Sequence, residues 1–161
     1  MSDLRVARVP LRPFEQSLPM ALMRARESVM RHFRPVLAEH DLTEQQWRVL
    51  RALRDADVPV SVGELAQTTF LLGPSLSRML VTLEERKLIE RAAGSDARRA
   101  EICISPRGLH LVSQVAPASE RAYGDIDALL DAGELDTLYS LLAKLSAAPT
   151  TETDRPEASS P

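Results

Sequence analysis

One arginine surrounded by short hydroxyl side chains is the most informative chemical feature of this 161-residue sequence. A helix predicted over residues 74–87 places Arg78 near the centre of one side. Its neighbours on that side carry hydroxyls: Ser75, Ser77 and Thr82. The opposite side carries an apolar stripe: Leu76, Met79, Leu80 and Leu83. A guanidinium can pair with a guanine edge or a phosphate, and short neighbours let the backbone approach. The pattern predicts a helix that enters a DNA groove; an ordinary amphipathic helix with a solvated face is the alternative.

A short hairpin predicted behind this helix carries further charges at its tip. Its strands are expected over residues 88–91 and 100–105, which contain several isoleucines. The connecting loop holds one acid and two arginines: Asp96, Arg98 and Arg99. Paired arginines at such a tip can enter the narrow minor groove, and the acid can orient the first of them. The alternative is a solvated turn with no role in binding.

These segments resemble the MarR family of winged helix-turn-helix regulators. The run Gly73-Pro74-Ser75-Leu76-Ser77-Arg78, with Leu83-Glu84-Glu85 and Leu88-Ile89, is similar to the family's recognition helix. The runs Asp96-Ala97-Arg98 and Ile104-Ser105-Pro106-Arg107-Gly108 resemble its wing signature, D-x-R-x5-L-T-x-x-G. Isoleucine stands for leucine in the second run and serine for threonine, which are conservative departures.

The resemblance extends over roughly residues 15–147 and is sharpest toward the branch that regulates homoprotocatechuate (3,4-dihydroxyphenylacetate) degradation operons. That similarity is concentrated in residues 17–22, 25–27, 33–35 and 42–49. The resemblance implies a homodimeric repressor of an aromatic-acid catabolic operon, bound to an inverted-repeat operator in double-stranded DNA. It also implies release from DNA when a phenolic or aromatic carboxylate binds between the dimer helices and the winged domain.

Hydrophobic periodicity predicts a mainly α fold with a small β wing. Residues 1–14 are interpreted as an N-terminal arm and 148–161 as a disordered, polar tail. The winged helix-turn-helix domain is expected over 41–105, and a helical dimerisation region over 15–40 and 106–147. The apolar stripes of that region are too extensive to face water on a monomer, which favours a homodimer.

Local signals mark where the helices begin and end. Capping boxes are predicted at Thr43 and Ser61, each with a Gln or Glu three residues later. Pro35 is expected to kink or break the first helix. The turn of the helix-turn-helix is expected over 69–72, with Phe70 and either Leu71 or Leu72 closing a small core.

Three residues are candidates for an effector site. Arg26 falls within the apolar stripe of the first helix, so a buried guanidinium in need of an anion is expected there. That anion is either a carboxylate of the chain or its twin, or an aromatic carboxylate ligand held by two hydrogen bonds. His32 lies at the edge of the stripe. Trp47 is expected off the core stripe of the second helix, either packing at an interface, covering the ligand or stacking on Arg51.

Composition and charge narrow the class of protein. Residues 1–108 hold 17 Lys/Arg against 14 Asp/Glu, a net charge of +3, whereas residues 109–161 hold 3 against 9, a net charge of −6. The acidic residues are therefore concentrated away from the half expected to contact DNA. No run of 18 apolar residues is present, no signal-peptide core is recognisable, and there is one cysteine, so a cytoplasmic protein without a membrane partner is expected.

Other functional classes are less well supported by the sequence. No metal-binding pair, phosphate loop or Ser-His-Asp arrangement stands out, so neither an enzyme nor a cofactor or metal site is expected. A redox-responsive regulator that uses Cys103 is one alternative. A winged helix that serves only to bind other proteins, without a ligand, is another, although it would not need a basic wing.

Overall fold

The computed structural model describes residues 11–92 and 101–147 and is mainly helical. The chain divides into two compact units, Met1–Ala122 and Tyr123–Pro161. A 3-10 turn at Phe14–Gln16 is followed by six α-helices and three short strands. These elements are α1 (Leu18–Ala38), α2 (Glu44–Arg54), β1 (Val60–Ser61), α3 (Val62–Thr69), α4 (Gly73–Glu85), β2 (Ile89–Ala92), β3 (Glu101–Ile104), α5 (Pro106–Asp127) and α6 (Ala132–Ser146).

The sheet is antiparallel and has the order β1-β3-β2, which confirms the small β wing. Ile104 of β3 lies opposite Ile89 of β2, and Ile102 lies opposite Val60 of β1. The sequence predicted only the two strands of the hairpin and missed the third strand, β1. Strand β1 was missed because two residues are too short to show an alternating pattern, and because Ser61 also carries the signal for a helix start.

Both predicted capping boxes are present. The hydroxyl of Thr43 accepts from the amide of Gln46 at 3.2 Å, and the Gln46 side chain accepts from the Thr43 amide at 3.0 Å. Ser61 and Glu64 form the same reciprocal pair at the start of α3. The first helix does not break at Pro35; α1 continues to Ala38, because a proline this near the end removes only one helical hydrogen bond.

The core of the first unit lies where α4 packs beside α3 and the strands. It is formed by fully buried leucines and an isoleucine: Leu50, Leu65, Leu76, Leu80, Leu83 and Ile102. The leucine stripe predicted on α4 is thus confirmed as its inward side. Burial of each such side chain contributes about 1.5–3 kcal/mol relative to exposure, so this stripe fixes the rotation of α4 about its axis.

The turn between α3 and α4 departs from expectation. Phe70 is 90% exposed and Leu72 is 78% exposed, so neither closes the small core, whereas Leu71, the other residue expected there, is half-buried. Phe70 has φ 54° and ψ 37°, the left-handed conformation with which helices often end. That backbone conformation turns the side chain outward, and the fully buried Thr69 takes the inward position instead.

A tight joint fastens the start of α5 to the end of α4 and the beginning of β2. The Ser105 hydroxyl donates to the Lys87 carbonyl at 2.7 Å and accepts from the Gly108 amide at 2.9 Å. A Cβ atom added at Gly108 would lie 2.1 Å from the Leu88 carbonyl oxygen. Only glycine fits this position, which gives a packing reason for the last residue of the wing signature.

The second unit contains the end of α5 and helix α6. No residue of α6 is buried, although the helix carries several large apolar side chains. The exposed ones are Leu138, Tyr139, Leu141 and Leu145. Within this unit α6 therefore presents an apolar surface to solvent.

Candidate nucleic-acid interface and effector site

Helix α4 presents one exposed polar side. Ser75, Ser77, Arg78 and Thr82 are all exposed, whereas Leu76, Leu80 and Leu83 are at most 1% exposed. The burial of the leucines forces the arginine and its hydroxyl neighbours outward together. The structure thus brings together the four residues of α4 that the sequence singled out.

The charge of Arg78 is not neutralised within the part of the chain that the structure describes. Its Nε lies 3.5 Å from the Pro74 carbonyl, the outer limit for a hydrogen bond, and no carboxylate contacts it among residues 11–92 and 101–147. Arg91, by contrast, is held 3.0 Å from Glu84. Arg78 can therefore turn its guanidinium toward an anion or a base edge.

The segment before α4 is held firmly in place. Arg48 of α2 donates to the Thr69 carbonyl at 2.9 Å, and the Thr69 hydroxyl donates to the Leu65 carbonyl. No side chain caps the N-terminus of α4, whose N-cap residue is Leu72. Pro74 has no N–H, so the amides of Gly73 and Ser75 are those left without a side-chain cap at this end of the helix among the described residues.

The predicted wing arginines lie outside the described residues. Asp96, Arg98 and Arg99 belong to the segment between β2 and β3, whose ends are Ala92 and Glu101. The strand pairing on either side agrees with the hairpin, and the role of the three residues stays a prediction.

Arg26 is not buried, contrary to the sequence-based expectation. Its side chain is 45% exposed, because the stripe around it, including Leu22 and Val29, is itself not buried within this chain. The guanidinium contacts Glu44 at 2.6 Å and Glu27 at 2.8 Å. The internal carboxylates left open as an alternative are thus its partners here.

Arg34 completes a closed ring of four alternating charges. It contacts the same two carboxylates as Arg26, so each arginine bridges Glu27 and Glu44. The hydrogen bond from Arg34 lowers the pKa of Glu27 below its usual 4.5. Burial raises the pKa of Glu44, but hydrogen bonds from Arg34 and Arg26 outweigh it and hold the pKa below its ordinary value. The same contacts raise the pKa of Arg34.

A groove of about 460 Å³ lies along this ring. Its lining combines the four charged residues with buried apolar side chains and the start of α2: Arg26, Glu27, Arg34, Leu37, Leu42, Thr43, Glu44 and Gln45. A groove with an apolar wall and paired charges suits a small ligand that is apolar at one end and polar at the other.

Trp47 is 8% exposed and belongs to the core, which corrects the expectation that it lies off the buried stripe. Helix α2 is covered over a wide arc because Trp47, Val49, Leu50 and Leu53 are all buried. The predicted stacking on Arg51 is present, with the guanidinium carbon 5.9 Å from the ring centroid.

Arg51 was named from the sequence as a stacking partner of Trp47 but not as a candidate for the effector site. Its Nε is buried and has no hydrogen-bond partner among the described residues. Glu44, Trp47 and Arg51 are spaced i, i+3 and i+7, so they share one face of α2. A buried donor without an acceptor is costly, and a carboxylate ligand would satisfy it. The available signal was its i+4 spacing from the only tryptophan.

Within the described part of the chain, His32 and Cys103 make no contact that assigns them a chemical role. His32 is exposed on α1. Cys103 is partly exposed in β3, and its thiol donates to the Glu90 carbonyl of the neighbouring strand at 3.7 Å. Among residues 11–92 and 101–147, no group of three or more His, Cys, Asp or Glu side chains is placed to hold a metal ion.

The helix-turn-helix of α3 and α4, followed by an antiparallel hairpin, defines a winged helix-turn-helix protein. Within the described ranges, no helix has the length and apolar character needed to cross a membrane. Residues 40–100 match the model of the MarR family.

The chain belongs to the MarR family of transcriptional regulators. It is 35% identical over 132 residues to the homoprotocatechuate degradative operon repressor of Escherichia coli, which covers 81% of this chain and 88% of that protein. Its fold is similar to NadR in complex with 4-hydroxyphenylacetate, with a TM-score of 0.75, 30% identity, and coverage of 88% of this chain and 100% of that one. It is also similar to the repressor CouR bound to a 23-mer DNA duplex, with a TM-score of 0.74, 30% identity, and coverage of 86% and 99%. These relatives confirm the predicted family and fold, and they are regulators rather than enzymes.

Proposed function

We propose that this protein is a dimeric repressor that binds an inverted-repeat operator and leaves it when an aromatic carboxylate binds. The observation that carries the proposal is the exposed side of α4, where Arg78 stands unpaired among the described residues beside Ser75, Ser77 and Thr82. Such a helix can place a guanidinium against a guanine edge in the major groove, while the hydroxyls contact phosphates. The solved relative CouR, bound to duplex DNA, supports this use of the fold.

The homodimer is supported by apolar surface that a single chain leaves uncovered. Leu138, Leu141 and Leu145 of α6 are 42–52% exposed, and Leu18 and Leu22 of α1 are exposed as well. Exposed large apolar side chains of this kind on a helix mark an interaction site. A second copy of the chain would cover it and would place two copies of α4 about one helical turn of DNA apart.

The proposed effector is a phenolic or aromatic carboxylate that contacts the face of α2 carrying Trp47 and Arg51. The indole provides an apolar surface, and the half-buried Arg51 provides a charge whose buried Nε has no hydrogen-bond partner among the described residues. Arg26 and His32 of α1 remain candidate ligand contacts. Arg26 would first have to break its ion pairs with Glu27 and Glu44. NadR, solved with 4-hydroxyphenylacetate, and the E. coli homoprotocatechuate operon repressor favour this ligand class.

The ligand changes DNA affinity only to the extent that it binds two arrangements of the dimer differently. The bound acid would favour the arrangement in which the spacing of the two recognition helices does not match successive major grooves. The effector thus acts as a repressor-releasing signal without touching DNA.

The deciding experiment measures the oligomeric state of the protein and its binding to DNA. Sedimentation of the full chain at micromolar concentration is expected to give a dimer, and a duplex selected from a randomised library is expected to contain an inverted repeat. Addition of 4-hydroxyphenylacetate or 3,4-dihydroxyphenylacetate should release that duplex. A monomer, or equal affinity for selected and random duplexes, would overturn the proposal.

A further inference from the structure

Phe70 combines two features that a folded domain usually avoids. Its side chain is 90% exposed, more than any other large apolar residue among residues 11–92 and 101–147. Its backbone is left-handed, with φ 54°, a conformation that favours glycine or asparagine over an aromatic residue. The left-handed backbone ends α3 and turns the side chain outward, but no contact among the described residues accounts for an aromatic side chain at this position.

The exposed ring is not at the end of a loose loop. The Ala66 carbonyl accepts hydrogen bonds from the amides of both Phe70 and Leu71. Thr69, the preceding residue, is fully buried and is tied to Arg48 and Leu65. The backbone on both sides of Phe70 is therefore fixed, and the side chain leaves it toward solvent.

Phe70 lies three residues before the first residue of α4, which is Gly73. Three residues span about 10 Å at most, so the ring lies within reach of any duplex that α4 enters. A Cβ atom at Gly73 would meet nothing within 4 Å, so packing within the chain does not require glycine there. A small residue directly after the exposed apolar residues Phe70 and Leu72 leaves room for a close partner surface.

We infer that Phe70 reads a thymine in each operator half-site through apolar contact between its ring and the C5 methyl group. This inference rests on the proposed binding of α4 in the major groove. The edges of the base pairs in that groove are otherwise hydrogen-bond donors and acceptors, and the thymine methyl is their one apolar group. An exposed ring just before the N-terminus of α4 is placed to meet that methyl group, and burial of both apolar surfaces favours the contact.

The test uses the full-length protein and a duplex that it selects from a randomised library. Each thymine of the half-site is replaced in turn by deoxyuridine, which removes only the methyl group. Affinities are measured for the wild type, for Phe70→Ala, and for Phe70→Asn, since asparagine tolerates the left-handed backbone. Val58→Ala is the control, because Val58 is a 68% exposed apolar residue outside the helix-turn-helix.

Phe70→Ala and Phe70→Asn should each weaken binding to the selected duplex about tenfold, and Val58→Ala should not. One deoxyuridine position should weaken binding by the wild type by a similar factor and have no effect on either Phe70 variant. Such non-additivity identifies the contacting pair.

Unchanged affinity of both variants, a half-site without thymine, or additive losses at every position would overturn the thymine contact. These outcomes are distinct from failure of the proposed function. In that case the wild type itself would not distinguish the selected duplex from random DNA.

Discussion

The guanidinium carbon of Arg51 lies 5.9 Å from the centre of the Trp47 ring, and the Nε of the same arginine is buried without a hydrogen-bond partner among the described residues. The ring offsets part of the cost of the desolvated charge through a cation–π interaction. It cannot accept the Nε hydrogen bond, however, so one donor is left for a ligand. An aromatic carboxylate offers both a ring for the indole and an oxygen for that donor.

Replacement of Arg51 by Gln is expected to weaken the response to aromatic acids. Loss of a charged hydrogen bond should raise the concentration of acid that releases operator DNA by about ten- to a hundredfold. Operator affinity without the acid should change little. Titration of a protein–operator complex with 4-hydroxyphenylacetate measures the effect, with Arg54→Gln as control because the Arg54 side chain is 53% exposed and pairs with Asp55. An unaltered release midpoint would remove Arg51 from the effector site.

Arg78→Ala is expected to reduce discrimination more than overall affinity. If the guanidinium pairs with a guanine, its loss should reduce the ratio of operator to random-duplex affinity by about five- to a hundredfold. Arg31→Ala serves as control, since Arg31 is an exposed arginine of α1 that contacts only Ser28 among the described residues. Equal losses on both duplexes would make Arg78 a phosphate contact instead.

Arg98→Ala is expected to weaken operator binding and to flatten its dependence on salt. Removal of one arginine–phosphate ion pair reduces the slope of log affinity against log salt by about one. Gel-shift titrations at several salt concentrations provide both values. If affinity and slope both match the wild type, the wing tip does not contact DNA.

Low pH is expected to break the ion pairs that Arg26 and Arg34 form with Glu27 and Glu44, which join α1 to the start of α2. The folded-state pKa values of Glu27 and Glu44 lie below the ordinary 4.5, so their ion pairs stabilise the fold above about pH 4.5. That stabilisation is lost as the pH falls through the lowered folded-state values. Urea unfolding between pH 7 and pH 3 should therefore show a smaller loss of stability for Glu44→Gln than for the wild type. Glu39→Gln, at an exposed position of the same region, should follow the wild-type curve; if Glu44→Gln does so too, the ring does not stabilise the fold.

Gly108→Ala is expected to destabilise the first unit. The added methyl would lie 2.1 Å from the Leu88 carbonyl oxygen and 2.7 Å from the Ile104 side chain, so α5 must shift. Overpacking of this kind costs about 1–3 kcal/mol, which thermal or urea unfolding would detect. Gly124→Ala is a matched control, because a Cβ at Gly124 meets nothing within 4 Å. Equal stability of the two variants would contradict the tight joint.

Residues whose role depends on local spacing were predictable from the sequence. The leucine stripe of α4 and the capping boxes at Thr43 and Ser61 follow from helical periodicity and short-range hydrogen bonds. The exposed position of Arg78 followed in turn, because burial of one side of a helix exposes the other.

Residues whose surroundings are set by tertiary packing were not predictable. Arg26 was expected to be buried because its own helix is apolar there, yet nothing within the described chain covers that side. Trp47 is buried by elements that a helical wheel does not contain. The outward position of Phe70 depends on one left-handed residue, which an aromatic side chain gives no reason to expect.

The Ser105 hydroxyl, held between the Lys87 carbonyl and the Gly108 amide, has a mechanical consequence. These two hydrogen bonds couple the first turn of α5 to the base of the hairpin, so the two are expected to move together. In the proposed release from DNA, a tilt of that turn would move the base of the hairpin with it, and no segment would have to unfold.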